Sequence, residues 1–273
     1  MKELFKRSIT GILYVFLLLS AVFLSTDTFD FLFLVFGLIC IYELKKIIKL
    51  SGYYIFIAFL ALWWVYIYLL ADLAPEMIQT ITAILLLATL MVDAYLIINL
   101  FKDGIKKDSN ARKLFISLFY VGGGFIFLTM IPYQETYFAK FLIIGIFILM
   151  WINDSFAYVV GKSIGKTKLY EKISPKKTVE GFIGGLVFSM IAAYVLAQYN
   201  DDLNVSQWLI LAFVVVITGS LGDLIESKFK RQGGVKDSGA ILPGHGGLLD
   251  RLDSLIFAAP FAYLTVQIFN YVS

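Results

Sequence analysis

Apolar runs separated by short polar turns fill this chain from end to end, and their lengths are those of membrane spans. A helix needs about 20 residues to cross roughly 30 Å of hydrocarbon. Runs of that order lie near residues 8–25, 28–44, 53–73, 77–101, 114–132, 138–160, 179–199, 206–226 and 252–272. The pattern predicts an all-α, polytopic integral membrane protein with about nine transmembrane helices, forming a single membrane domain over residues 1–273. Turn formers such as Ser51-Gly52, Ala74-Pro75 and Asn200-Asp201 close most of the gaps, while three polar stretches, 102–113, 161–178 and 227–251, are longer. No internal repeat or low-complexity linker interrupts the pattern.

Composition agrees: 60% hydrophobic residues and 16% aromatics lie outside the range of soluble chains. Lys2, Lys6 and Arg7 ahead of the first run suggest a secretory leader, but the run is long and Leu24-Ser25-Thr26-Asp27 is a poor cleavage site. A retained helix is expected there. Cys40, the only cysteine, falls inside the second run, which leaves no disulfide framework and no thiol metal site. Basic residues set the orientation. With the N terminus cytoplasmic, every one of the 23 Lys and Arg residues except Lys140 falls on the cytoplasmic side, as the positive-inside rule requires. The C terminus is then outside, and all three long polar stretches face the cytoplasm. The basic run 102–113 reads as a juxtamembrane contact with anionic headgroups.

The other two long stretches carry the candidate chemistry. Asp223, Glu226 and Ser227 end the eighth span on one helical face, and Asp250 and Asp253 begin the ninth, again on one face. Carboxylates beside a membrane span are costly and point to function. With both sets at one boundary, two carboxylate-bearing helix ends are expected to converge on a metal, and hard oxygen ligands suit Mg²⁺ better than Zn²⁺. Pro243-Gly244-His245-Gly246-Gly247 runs directly into the ninth span, a turn whose N–H groups suit phosphate. His245, the only histidine, is a candidate to bond phosphate or move a proton. Lys176 and Lys177, between Ser174-Pro175 and Thr178, supply point charges for phosphate. Lys230, Arg231, Lys236 and Arg251 are of the same kind. Asn153 and Asp154, at the cytoplasmic end of the sixth span, are expected to line the polar cavity. Gly122-Gly123-Gly124 reads as a packing cluster, and Gly181, Gly184 and Gly185 as either packing or a bend beside substrate. Asp93 lies well inside the fourth span, and its role is left open.

Taken together, Ser227, Lys230-Arg231, Lys236-Asp237, Pro243-x-His245-Gly246-Gly247 and Asp250-Arg251-x-Asp253 resemble the signature of the phosphatidate cytidylyltransferases, also called CDP-diacylglycerol synthases. The likeness extends upstream through Asn153-Asp154, Gly161, Gly165, Ser174-Pro175-Lys176-Lys177-Thr178 and Glu180-Gly181. Residues 150–255 are therefore expected to be the catalytic region, while residues 1–113 carry hydropathy alone. The resemblance implies cytidylyl transfer from CTP to phosphatidate in the plasma membrane, with Mg²⁺ and room for K⁺ as a second cation. It further implies a homodimer among membrane lipids and no nucleic-acid partner. Asp223, Asp250, Lys236, His245 and Arg251 are the expected catalytic residues, with Glu226 and Asp253 as further metal ligands. Asn153, Asp154, Ser174, Lys176, Lys177, Thr178, Ser227, Lys230, Arg231, Gly246 and Gly247 are the expected substrate contacts. The rivals are a CTP-using enzyme acting on another lipid, such as a polyprenol kinase, and a cation-coupled transporter. A transporter would place its carboxylates near the midplane of broken helices.

Overall fold

A computed structural model describes residues 2–69, 73–102, 109–134, 137–242, 244 and 246–272, with side chains from residue 9 onward except those of 68 and 69. Nine helices run through the described residues. They are α1 (Lys2–Leu24), α2 (Thr26–Ile47), α3 (Tyr54–Trp64, continued by the π-helical Val65–Leu69), α4 (Pro75–Leu100) and α5 (Asn110–Met130). Then follow α6 (Lys140–Ile164), α7 (Val179–Tyr199), α8 (Val205–Gly233) and α9 (Leu249–Val272). Six of these, α4 to α9, are long and apolar enough to cross a bilayer. The other three are expected spans that differ in detail. Over the described side chains α1 and α3 offer the shorter apolar stretches Ile9–Leu24 and Tyr54–Ile67, and α2 carries Asp27, Asp30, Glu43, Lys45 and Lys46. The protein is an all-α integral membrane protein.

The chain forms two compact units. The first combines Met1–Thr129 with Lys228–Leu252. At its centre α5 is π-helical over Ser117–Gly123, and Ser117, Tyr120, Val121, Gly122 and Gly123 are buried there. The expected packing use of the glycines is realised: a Cβ at Gly122 would lie 3.1 Å from the Phe59 ring, and one at Gly123 would collide with Thr89. Without hydrocarbon-to-water contrast to drive association, small residues let helices gain close van der Waals contact.

The second unit combines Met130–Ser227 with Asp253–Ser273. Here α6 and α7 form an antiparallel pair, with Gly161 opposite Gly181 and the Ser189 hydroxyl donating to the Leu149 carbonyl at 3.2 Å. A Cβ at Gly181 would come 2.6 Å from the Ala157 carbonyl oxygen, and one at Gly184 2.6 Å from Val160. Phe156 stacks on Phe188 along the same seam, with ring centroids 3.7 Å apart. The stretch 161–178, expected as a loop, instead folds back as a hairpin of β1 (Lys168–Tyr170) and β2 (Ser174–Thr178), pairing Lys168 with Thr178 and Tyr170 with Ser174. Pro175 is tolerated because a two-stranded ribbon leaves edge positions that need no N–H. Thr178 ends the hairpin and caps α7, its hydroxyl accepting from Gly181 N–H at 3.1 Å. Glu180 ties the two together, its carboxylate accepting the Thr167 N–H at 3.0 and 3.1 Å.

Candidate functional site

The hairpin, the C-terminal end of α6, the first turn of α7 and the C-terminal half of α8 surround a cavity of about 620 Å³ in the second unit. Six of the expected site residues line it: Asn153 and Asp154 from α6, Lys176, Lys177 and Thr178 from β2, and Asp223 from α8. Its walls differ in chemistry. Lys162, Lys168, Lys176 and Lys177 supply positive charge, while Ala157, Tyr158, Leu169 and Phe182 supply an apolar surface. Lys177 forms an ion pair with Asp223, each side chain close to one-third exposed. The Ser227 hydroxyl, one turn along α8, donates to Asp223 Oδ1 at 3.3 Å. Asn153 is buried, and its amide donates to Asp154 Oδ1 at 3.4 Å. Lys168 is held by the Pro175 carbonyl at 2.7 Å, which aims one cation from the hairpin itself.

Gly161, Gly181 and Thr178 explain how a cavity forms where two helices meet so closely. The glycines let α6 and α7 touch at their hairpin-proximal ends, and the capped start of α7 leaves its first turn facing the cavity. Of the two readings of Gly181, close packing is met, and the residue also lines the cavity.

The first unit holds a second constellation, built on the glycine turn. Asp250, in the first turn of α9, accepts from the Lys230 ammonium at 2.6 Å through Oδ1. Its Oδ2 accepts from Ser238 N–H at 2.9 Å, Ser238 Oγ at 3.0 Å and Gly247 N–H at 2.9 Å. Glu43, buried in α2, accepts from Leu248 N–H at 3.2 Å and Leu249 N–H at 2.8 Å, and its Oε2 lies 3.1 Å from Ser238 Oγ, whose single hydrogen it shares with Asp250 Oδ2. The unpaired N–H groups that open a helix normally attract an anion. Here Asp250 and Glu43 take those of Gly247, Leu248 and Leu249, so the turn that suggests a phosphate cradle already holds two carboxylates. Gly246 adopts φ +87°, a conformation side chains rarely tolerate, and its carbonyl accepts the Leu242 N–H at 3.0 Å.

The remaining expected residues are placed as follows. Ser174 opens β2. Glu226 and Asp253 are buried in the second unit, Asp253 Oδ1 accepting the Ser254 N–H at 2.8 Å. Arg231, Lys236 and Arg251 are exposed in the first unit. His245 lies outside the described residues, as does Pro243. Asp93 is buried in α4, and neither of its oxygens has a hydrogen-bond partner among the described residues.

Three kinds of residue escaped sequence reasoning. Lys162 and Lys168 read as topology residues but line the cavity, and Tyr158 and Phe182 read as span residues. Glu43 read only as part of a hydrophobic run. A signal was present: an acidic residue near the C-terminal end of a helix opposes the helix dipole and needs a partner elsewhere.

The cavity's donors suit Mg²⁺ in its usual mode, in which one or two carboxylates hold the ion while water and phosphate oxygens complete the shell. Asp154 and Asp223 are the carboxylates that line it. Among the described residues no group of three or more His, Cys, Asp or Glu is assembled, so an all-protein cage is absent from them. Asp250 would have to release bonds it already makes before it could ligate.

Comparison with known proteins gives these features a family. The model of the cytidylyltransferase family matches residues 5–269. A phosphatidate cytidylyltransferase of Bacillus subtilis is 34% identical, covering 99% of this chain and all of the relative. Those of Staphylococcus saprophyticus and Staphylococcus aureus (strain COL) are 46% and 47% identical. Against these two the match covers 56% and 53% of this chain, and 58% and 55% of the relatives' length. The chain belongs to the cytidylyltransferase family.

Proposed function

We propose that this protein transfers the cytidylyl group of CTP to phosphatidate at the cytoplasmic face of the membrane, giving CDP-diacylglycerol and pyrophosphate. The observation that carries the reading is the cavity beside the hairpin, where four lysines and two aspartates share one space with an apolar wall. Such a lining suits a substrate pair of two phosphate-bearing molecules, one of them a lipid. The full-length relative from Bacillus subtilis, named a phosphatidate cytidylyltransferase, supports the same substrates. The asymmetry of the basic residues supports the orientation, with the N terminus inside and the C terminus outside.

The lipid phosphate is already ionised near neutral pH, so the protein's work is to bring two anions together and to stabilise charge as it spreads. Lys176, Lys177, Lys162 and Lys168 hold phosphate oxygens. An oxygen of the phosphatidate phosphate attacks the α-phosphorus of CTP, a new P–O bond forms, and the bond from the α-phosphorus to the bridging oxygen breaks as pyrophosphate leaves. Asp223 and Asp154 are the groups that would hold Mg²⁺, which when bound supplies positive charge to phosphate oxygens. Tyr158, Phe182 and Leu169 exclude water along the apolar side. K⁺ as a second cation and a homodimeric assembly belong to the same reading on the strength of the family resemblance.

Which bond breaks is the test. Purified protein in detergent is given phosphatidate, Mg²⁺ and CTP labelled at the α- or the γ-phosphate. The α label should enter the lipid fraction, the γ label should appear as pyrophosphate, and chelation of Mg²⁺ should stop both. Movement of γ label into lipid, with CDP left behind, would make the protein a lipid kinase.

A further inference from the structure

Glu43 is one of the buried titratable groups that the reaction does not use. It sits in α2 at 1% exposure, in the part of the chain where the family signature is silent. A buried carboxylate is expensive unless donors surround it. Glu43 has two backbone donors, Leu248 N–H and Leu249 N–H, and shares the Ser238 hydroxyl hydrogen with Asp250, and it lies at the positive end of α9. Two glycines make room for it. A Cβ at Gly239 would collide with Glu43 Oε1, and one at Gly247 would come 2.6 Å from both carboxylate oxygens. Ser238 links this group to Asp250. Its hydroxyl lies 3.1 Å from Glu43 Oε2 and 3.0 Å from Asp250 Oδ2, and it accepts the Asp250 N–H at 3.3 Å.

We propose that Glu43 is a positioning residue for Asp250: it clamps the start of α9 and the Ser238 segment together, so that the Asp250 carboxylate and its Lys230 partner are held in one place. This rests on the proposed cytidylyl transfer and on the catalytic role that the family resemblance implies for Asp250. Asp250 gains its orientation from Ser238 and Gly247, and both of those are seated against Glu43. Neutral glutamine cannot do the same work. Oε1 serves Leu248, while Oε2 serves Leu249 and Ser238. Whichever way the amide faces, its NH₂ therefore opposes a backbone N–H.

The test compares native protein, Glu43→Gln, Ser238→Ala and the double variant, all purified in detergent and normalised to folded monodisperse protein. Two readouts are taken: hydrogen exchange of the peptide 237–250, and kcat and KM for α-labelled CTP. Glu43→Gln should speed exchange in that peptide. It should also lower kcat about 100-fold, the scale expected of a small misplacement in a catalytic site, with KM changed less than about threefold. The double variant should be little worse than either single one, because both cut the same link. A Glu43→Gln enzyme whose kcat per folded molecule stays within about threefold of native overturns the proposal, and so do additive effects, which a merely structural role would give. If Glu43→Gln yields no folded protein, Ser238→Ala decides, and native kcat there is the overturning result. If native protein transfers no α label, the cytidylyl reading fails on its own. Exchange then decides for Glu43: unchanged exchange of 237–250 overturns the clamp, and faster exchange confined to that peptide supports it.

Discussion

Changing Asp223 to asparagine separates stability from chemistry. The carboxylate lines the cavity, pairs with Lys177 and accepts a bond from Ser227 at 3.3 Å. The substitution keeps the shape and an acceptor for Ser227 while removing the negative charge. Both partners of the ion pair are about one-third exposed, 29% for Lys177 and 31% for Asp223. A pair so placed contributes at most about 1 kcal/mol to stability. Losing it should lower the unfolding temperature in detergent by no more than a few degrees, with membrane insertion intact. Catalysis is another matter. Asp223 would act through the Mg²⁺ it holds, and weakening a preorganised cation where phosphate charge spreads in the transition state costs about 3–4 kcal/mol, or a factor of roughly 10² to 10³ in kcat. The assay is transfer of α-labelled CTP to phosphatidate at saturating Mg²⁺, expressed per folded molecule. Turnover within about threefold of native in that assay would refute the argument. Lys177→Met combined with Asp223→Asn supplies a control: if Asp223 merely neutralises Lys177, the double variant regains activity, whereas a role toward metal or phosphate predicts that it stays inactive.

Orientation can be read with single cysteines in a Cys40→Ser background. Cysteines at Ser109 and Ala240, both exposed, should resist an impermeant reagent in intact cells, while one at Asp201, exposed between α7 and α8, should react; reaction at Ala240 from outside would overturn the cytoplasmic assignment. Ser238 is unsuited to that experiment because it is buried against Glu43. Gly185→Ala places a Cβ against Asn153 Oδ1 and 2.8 Å from the Asn153 carbonyl oxygen, so it should push α6 from α7. It should destabilise the fold by about 1–3 kcal/mol, read as a lower unfolding temperature, and an unchanged melting curve would show that the seam yields freely.

Hydropathy and charge were enough to specify the helical class, the number of helices and their order, because each is a property of a continuous stretch of chain. A run of apolar residues has nowhere to go but a bilayer or a core, and its length says which. The motif residues of 150–255 were legible for a similar reason. Polar, glycine-rich sequence between apolar spans is costly to keep without a use, and Asn153, Asp154, Lys176, Lys177, Thr178 and Asp223 do line one cavity. The hairpin at 168–178 was not legible, since its charged strand with an internal proline shows no alternation of apolar and polar positions. Tertiary structure alone decided that Lys177 pairs with Asp223, that Lys162 and Lys168 belong to the same cavity, and that Glu43 seats the turn before Asp250. Periodicity tells which face of a helix is apolar; it does not tell which distant helix will meet that face. Glu43 and Ser238 stand 195 positions apart, and only packing brings the carboxylate of one to the hydroxyl of the other.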